Sequence, residues 1–348
     1  MCLTENNLTE VKRKLELLPN SNVRVAFESI EHDVRKQISE QSIYYSPLFI
    51  FLLGNDESTI EEFENDLQLV VQHSNSKMKK DVISFLMAAS GSKNRSWESG
   101  LFEIFVKSRF LKRNDLATEL DYTLPNSKEV DLHINLRGKG INIECTLLDE
   151  SDEDKDVWDK FCADKEAFDK GVLIRPGKYD NSNSKSPSPY YNAARFYDKV
   201  FDKIAPSLCP EEGQLIEGAS NILIIFSKIG FGINWSLDEL LRDQPWSVSL
   251  REKPRDTPIG PDDILLIPWL HHKAENLIRE HKLMNDYYHK HYTKIVEAPR
   301  KIGAVMVLKY SKLIYSRVNY NSEPNSKISH SEISSIEDII QNMPKWYN

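Results

Sequence analysis

Two short segments near the middle of the chain alternate between apolar and polar residues. The first is EVDLHINL, residues 129–136, and the second is INIECTLL, residues 141–148. The apolar residues of the pair fall at every second position: Val130, Leu132, Ile134, Leu136, Ile141, Ile143, Cys145 and Leu147. A period of two is typical of a strand with one buried face and one polar face. We therefore predict two strands here.

The four residues between these segments, RGKG at 137–140, predict a tight turn, because glycine adopts the positive dihedrals that two-residue hairpins require. The two strands are then antiparallel neighbours. If Gly138 and Lys139 are the turn residues, Asp131 lies opposite Thr146, and His133 lies opposite Glu144. A slip of one residue stays open and would change only the pairing. In either case Glu144 and Thr146 share the polar face.

Helical and strand patterns continue on both sides of this hairpin. Helical periodicity predicts helices at 8–18, 23–40, 58–73, 97–113 and 193–207, and the apolar run at 44–53 is interpreted as core. Further strands are predicted at 117–124 and 221–226. The order of strand, helix and strand from 141 to 226 implies a parallel crossover.

The last third of the chain carries a different mixture of patterns. It contains an apolar run at 264–270, a long helical stretch at 273–295, a hairpin in 302–310 and 313–320, and a final helix at 333–343. We divide the chain into a helical N-terminal region at 1–90, a core at 91–235 and an α+β C-terminal extension at 236–348 that packs on the core.

Composition narrows the classes of protein. The chain has 348 residues, 40% of them hydrophobic and 28% charged, as in ordinary globular proteins. Its four cysteines form no CxxC pair, which favours a reducing, cytoplasmic compartment. We expect no membrane association, because the longest apolar run is too short to span a bilayer. The net charge of -8 disfavours general attraction to phosphate, so any contact with nucleic acid is expected to be local.

The order of elements from 93 to 230 resembles the αβββαβ core of the PD-(D/E)XK nuclease superfamily. A helix with acidic residues precedes three strands, the second strand carries Asp131, the third carries Glu144, and a crossover helix leads to a fourth strand. The resemblance implies an α/β fold with a restriction-endonuclease-like core, flanked by the helical N-terminal region and the α+β C-terminal extension.

The same resemblance implies a set of site residues. Asp131 and Glu144 would hold a divalent cation, Mg²⁺ or Mn²⁺, and Glu103, or in its place Glu98, would be the helix acid. Two carboxylates on one face of a hairpin are also the hard oxygen ligands that Mg²⁺ prefers. A bound metal ion lowers the pKa of water and neutralises charge on phosphate. Cys145 points away from these acids and is a poor nucleophile candidate.

The chain departs from the family pattern at Thr146, where the family has its catalytic lysine. Threonine cannot supply a cation, so another lysine reaches the site, the metal ion suffices alone, or catalysis has been lost. Lys199 and Lys203 lie four residues apart on the crossover helix and therefore share a face, which makes them the best substitutes. Lys128 is the next option. Gln214 is a further residue that could approach the site.

Two functions follow from the resemblance. The first is a metal-dependent nuclease-like protein that hydrolyses phosphodiester bonds of nucleic acid, with DNA preferred to RNA as the partner. The second is a catalytically inactive nuclease fold that binds nucleic acid or a protein partner, and Thr146 and the acidic net charge favour it. A plainer interpretation is that Asp131 and Glu144 are solvent-facing residues of an ordinary two-stranded ribbon.

Overall fold

The computed structural model describes about half of the chain. These residues are 3–42, 45–74, 79–80, 84–88, 96–148, 156, 160, 199–200, 202–204, 213–227, 298–309, 312–319, 322–341 and 344–347. Two compact units account for the chain, the first Met1–Asp121, Lys155–Arg175 and Ile339–Asn348, and the second Tyr122–Asp154 and Pro176–Asp338. The apolar run at 264–270 and the helix at 273–295 lie outside the described residues.

Five α-helices whose bounds are described precede the sheet in the first unit. They are α1 (Glu5–Glu16), α2 (Asn22–Ser39), α3 (Pro47–Gly54), α4 (Glu57–His73) and α5 (Ser96–Leu111). Short 3-10 helices lie at Phe85–Met87 and Lys345–Tyr347. The helices predicted at 8–18, 23–40, 58–73 and 97–113 are confirmed. The apolar run at 44–53 is largely helix α3, which begins at Pro47 and buries Leu48, Phe49 and Leu52.

Buried polar side chains hold the ends of these helices. Glu64 accepts hydrogen bonds from the first backbone N–H groups of α2, those of Asn22 and Val23, both at 2.9 Å. Lys14 donates to carbonyl oxygens at the C-terminus of α3, including Asn55 at 2.8 Å. Helix ends leave such groups without intrahelical partners, so each contact stabilises a junction between helices. Asp66 is fully buried and accepts hydrogen bonds from the side chains of Arg109 and Trp346, both at 2.9 Å.

A six-stranded mixed sheet follows the helices, and the fold class is α/β. Its strands stand in chain order: β1 (Ala117–Thr123), β2 (Glu129–Leu136), β3 (Lys139–Leu148), β4 (Ser220–Ser227), β5 (Ala304–Lys309) and β6 (Lys312–Val318). The pairs β2/β3 and β5/β6 are antiparallel, whereas β3/β4 and β4/β5 are parallel. The four predicted strands and the C-terminal hairpin are confirmed. The final helix, α6, spans His330–Gln341 rather than 333–343.

The turn between β2 and β3 lies one residue before Gly138 and Lys139. Arg137 and Gly138 are the turn residues, with φ values of 55° and 85°, and Leu136 pairs with Lys139. The side chain of Asn135 stabilises this turn by accepting a hydrogen bond from the Gly138 N–H at 2.9 Å. The structure therefore has the slip of one residue that the sequence left open, and the turn is not at Gly138 and Lys139.

Moving the turn also changes the cross-strand pairs. His133 lies opposite Asn142 instead of Glu144, and Leu132 lies opposite Ile143. One position further along the same antiparallel register, Asp131 comes opposite Glu144 instead of Thr146. Residues directly opposite each other in an antiparallel pair point to the same face, so the two acids share one face of the sheet.

The parallel pairing of β3 with β4 requires a crossover connection. The described residues 199–200 and 202–204 of that connection are helical, as the sequence predicts. Strand β4 is buried along nearly its whole length, which is typical of a parallel strand covered on both faces. No helix in the described residues is long and apolar enough to cross a membrane.

A row of polar side chains crosses three adjacent strands on the face that carries the two acids. His133 Nδ1 lies 2.8 Å from Asn142 Oδ1, and Asn142 Nδ2 donates to Asn221 Oδ1 at 3.0 Å. Asn221 Nδ2 in turn donates to the carbonyl oxygens of Ile216 at 2.9 Å and Lys301 at 2.8 Å. Both asparagines are buried, and hydrogen bonding satisfies their amides.

Candidate functional site

The centre of the candidate site is an ion pair between Glu144 on β3 and Lys203 in the helical segment before β4. The Lys203 ammonium lies 2.5 Å from Glu144 Oε1. The side chain of Glu144 is 3% exposed and that of Lys203 is 24% exposed. A buried carboxylate is tolerated only when it is paired and hydrogen-bonded, so this contact stabilises the charged form of Glu144 in the sheet.

Gln214 completes the hydrogen bonding of this pair. Its Nε2 donates to Glu144 Oε2 at 2.6 Å, and its Oε1 accepts from Lys203 Nζ at 3.2 Å. The same Nε2 also contacts the backbone carbonyl of Glu129 on β2. Both oxygens of Glu144 thus accept hydrogen bonds, one from Lys203 and the other from Gln214.

Asp131 is the second carboxylate of the site, on β2. Its Oδ2 accepts a hydrogen bond from the backbone N–H of Cys145 at 2.7 Å, and the residue is half-buried. That contact ties the Asp131 side chain to β3 beside Glu144. The two acids therefore lie on adjacent strands and on one face, as the sequence predicts, although the pairing that brings them together differs from the predicted one.

The charge of Lys203 depends on these two carboxylates. Burial of the ammonium disfavours its charged form and lowers its pKa, but the opposing charge and hydrogen bond of Glu144, with a further contribution from Asp131, outweigh this effect. The pKa of Lys203 is consequently raised above its ordinary value of 10.5. The side chain carries a positive charge at neutral pH.

The remaining residues predicted around the strands occupy less central positions. Thr146 is buried on the same face of β3 as Glu144, and Cys145 is half-buried on the opposite face. Lys199 is half-buried, and between the two predicted lysines it is Lys203 that contacts Glu144. Lys128 is exposed in the turn between β1 and β2. Lys203 therefore places an ammonium group beside Glu144, whereas Thr146 carries no charge.

Glu103, predicted as the helix acid, lies on α5 in the first compact unit. Its Oε1 is 3.2 Å from Lys107 Nζ, and that ammonium is 2.8 Å from Asp121 Oδ1. Lys107 is completely buried. Glu98 lies on the same helix and is half-buried. A role for Glu103 or Glu98 at the carboxylates of Asp131 and Glu144 stays a prediction.

The pairing of Lys107 with Asp121 was not predicted from the sequence. Burial is the main influence on Asp121 and raises the pKa of its carboxyl group, with the charge of Lys107 opposing this shift in part. Asp121 also has a φ of 51°, an uncommon conformation for a residue other than glycine. Glu103 and Lys107 are four positions apart on α5, the i, i+4 spacing of neighbours on one helix face. This spacing is visible in the sequence, but it reveals neither the burial of Lys107 nor its pairing with Asp121.

The chemistry of the donor set is compatible with a divalent cation. Mg²⁺ takes one or two carboxylates and fills its remaining positions with water and substrate phosphate, and Asp131 and Glu144 offer two such carboxylates. In the described part of the chain, no group of three or more histidine, cysteine and acidic side chains is placed to hold a metal ion. A cation here would therefore depend on ligands from water and substrate. No family model, curated protein or solved structure matches the chain.

Proposed function

We propose that the protein is a metal-dependent nuclease-like enzyme that hydrolyses phosphodiester bonds of nucleic acid, with DNA as the preferred substrate. One observation carries the proposal. The Lys203 ammonium lies 2.5 Å from a carboxylate oxygen of Glu144, and Glu144 comes opposite Asp131 on the neighbouring strand. Two acids and one cation on a mixed sheet are the set that PD-(D/E)XK nucleases use, here with the lysine in a helical segment instead of on the strand.

Each side chain has a distinct role in the proposed reaction. Asp131 and Glu144 would hold Mg²⁺ or Mn²⁺, which when bound polarises phosphate and lowers the pKa of water. Lys203 acts as a fixed positive charge, because its raised pKa keeps it protonated at neutral pH. A preorganised cation of this kind stabilises the negative charge that develops on the phosphate oxygens. Thr146 is neutral and adds no charge that would compete with Lys203.

A second candidate function is a nuclease fold without activity that binds nucleic acid or a protein partner. Its support is the burial of Glu144, whose side chain is 3% exposed and whose oxygens both accept hydrogen bonds, from Lys203 and Gln214. A carboxylate whose two oxygens already accept hydrogen bonds is less available as a metal ligand. The net charge of -8 also favours a protein partner over nucleic acid.

Cleavage and metal binding together separate the two candidates. The purified chain is incubated with single- and double-stranded DNA and RNA in Mg²⁺ or Mn²⁺, and Mn²⁺ binding is measured by calorimetry in parallel. We expect cleavage that EDTA abolishes, and loss of both cleavage and Mn²⁺ binding in Asp131→Ala. If the wild-type protein cuts none of these substrates, the enzymatic function is wrong.

A further inference from the structure

Gln214 contacts both members of the central ion pair. It donates to Glu144 Oε2 at 2.6 Å and accepts from Lys203 Nζ at 3.2 Å, while Lys203 reaches the other oxygen of Glu144. The three groups thus form a closed ring of hydrogen bonds. Closed networks in which every group is satisfied restrict side-chain motion more than a single contact does.

The chemistry of its two neighbours decides how the Gln214 amide is oriented. An ammonium only donates hydrogen bonds and an ionised carboxylate only accepts them. The amide oxygen must therefore face Lys203, and the amide nitrogen must face Glu144, as the structure has them. This orientation matches a charged pair, with Glu144 ionised and Lys203 protonated.

The backbone around Gln214 is held by contacts that do not involve its side chain. The Leu215 N–H donates to the Lys203 carbonyl at 2.9 Å, which joins the segment directly to the helical residues that carry the lysine. Asn126 Nδ2 donates to the Gly213 carbonyl at 3.2 Å. A β-carbon at Gly213 would stand 2.3 Å from the Ile204 carbonyl oxygen, so the two segments are in close contact.

We infer that Gln214 is a positioning residue, which fixes the Glu144 carboxylate and the Lys203 ammonium relative to each other in the site. The inference rests on the proposed function, in which Glu144 and Lys203 take part in the reaction. Gln214 itself needs no contact with substrate for this role. Its backbone is anchored independently, so we expect replacement of the side chain to remove its hydrogen bonds to Glu144, Lys203 and the Glu129 carbonyl while the fold is retained.

Two variants and one control test this inference. Gln214→Ala removes the contacts with Glu144 and Lys203 together with the one to the Glu129 carbonyl, whereas Gln214→Glu keeps an acceptor for Lys203 and places a second negative charge beside Glu144. Gln72→Glu, the same chemical change at an exposed position of α4, is the control. For each protein, the acetylation rate of Lys203 by N-hydroxysuccinimide acetate is measured by peptide mass spectrometry, relative to Lys199. Cleavage kinetics and thermal melts are recorded alongside.

In Gln214→Ala we expect Lys203 to label several-fold faster relative to Lys199. We also expect kcat to fall roughly tenfold or more with KM little changed, in line with the loss of other residues that orient a site. In Gln214→Glu we expect a similar fall in kcat without faster labelling, because the acceptor for Lys203 remains. Gln72→Glu should change neither quantity.

The labelling result decides the positioning role independently of cleavage. An unchanged ratio of Lys203 to Lys199 labelling in a folded Gln214→Ala protein overturns the inference, whether or not the enzyme is active. Faster labelling in a chain whose wild type cuts no nucleic acid supports the positioning of Lys203 and rejects the proposed hydrolase function. If Gln214→Ala melts well below the wild type, the test passes to Gln214→Glu. We expect its ratio of Lys203 to Lys199 labelling to be at or below the wild-type value, and a raised ratio overturns the inference.

Discussion

The Lys203 ammonium lies 2.5 Å from Oε1 of Glu144, although 59 positions separate the two residues in the chain. Strand β4 pairs in parallel with β3, the strand that carries Glu144. The segment that leads into β4, which includes Lys203, is therefore brought close to β3. The position two residues after Glu144 on that strand is Thr146, which has no charge. The cation of the candidate site thus comes from the helical segment before β4.

We predict that Lys203→Ala reduces metal-dependent cleavage by roughly 100-fold, as the loss of other preorganised electrostatic groups does. The matched control is Lys199→Ala, four residues earlier, which removes the same side chain from a position that does not contact Glu144. We expect that control to stay within a few-fold of the wild type in a plasmid or oligonucleotide cleavage assay. Equal losses in the two variants would contradict the assignment of Lys203.

Thr146→Lys tests whether this strand position can accept the lysine of the PD-(D/E)XK pattern. Thr146 is buried on the face of β3 that carries Glu144, so a lysine there would place a second ammonium beside Lys203. We expect lower cleavage in this variant, because two ammonium groups near one carboxylate repel each other. The double variant Thr146→Lys with Lys203→Ala should recover part of the activity that Lys203→Ala alone has lost. Cleavage that appears only in Thr146→Lys would instead identify the natural chain as a binding module.

The pair of Lys203 and Glu144 also predicts a pH dependence of stability. The pKa of Lys203 is raised above 10.5, so its stabilising contribution is fully present below pH 10.5 and is lost as the pH rises through the folded-state pKa. Lys203→Met leaves Glu144 buried without this cation and should lower the free energy of unfolding by about 3 kcal/mol at pH 7. We expect the difference between the two proteins in urea unfolding to narrow above pH 10.5. A difference that stays constant to pH 11.5 would contradict the ion-pair account.

Gly213 is predicted to be sensitive to substitution, because an added β-carbon would stand 2.3 Å from the Ile204 carbonyl oxygen. Gly213→Ala must displace one of the two segments, and overpacking of this kind costs about 1–3 kcal/mol. Gly54→Ala is the matched control, since a β-carbon at Gly54 meets no atom within 4 Å. Thermal melts of the two variants give the comparison. Equal melting temperatures would show that the segment carrying Gln214 can shift without penalty.

The strands of the sheet could be predicted from the sequence where the alternation of apolar and polar residues lies within one strand. Val130, Leu132 and Ile134 recur at every second position, and this period has no good helical explanation. The turn could not be placed with the same certainty, because Arg137 adopts a φ of 55° that residues other than glycine rarely take. The pattern RGKG left neighbouring turn positions open, and the hydrogen bond from the Gly138 N–H to the Asn135 side chain cannot be read from periodicity.

The composition of the site was harder to predict than the sheet. Asp131 and Glu144 were identified because each stands on the polar side of an alternating strand. Lys199 and Lys203 could not be separated, since residues four apart share a helix face and only tertiary contacts distinguish them. Gln214 lies in an irregular segment, and there the sequence has no periodic pattern from which the direction of a side chain could be predicted.

The row of polar side chains across β2, β3 and β4 determines the protonation pattern of a histidine ring. The Asn221 amide nitrogen must face two backbone carbonyls, which only accept, so its oxygen faces Asn142. Asn142 therefore turns its own amide oxygen toward His133, and Nδ1 of His133 must carry a proton to meet it at 2.8 Å. The neutral imidazole is consequently the Nδ1–H tautomer, which leaves its lone pair on Nε2. Carbonyl groups far along the chain thus select the tautomer of a ring on the same sheet face as Asp131.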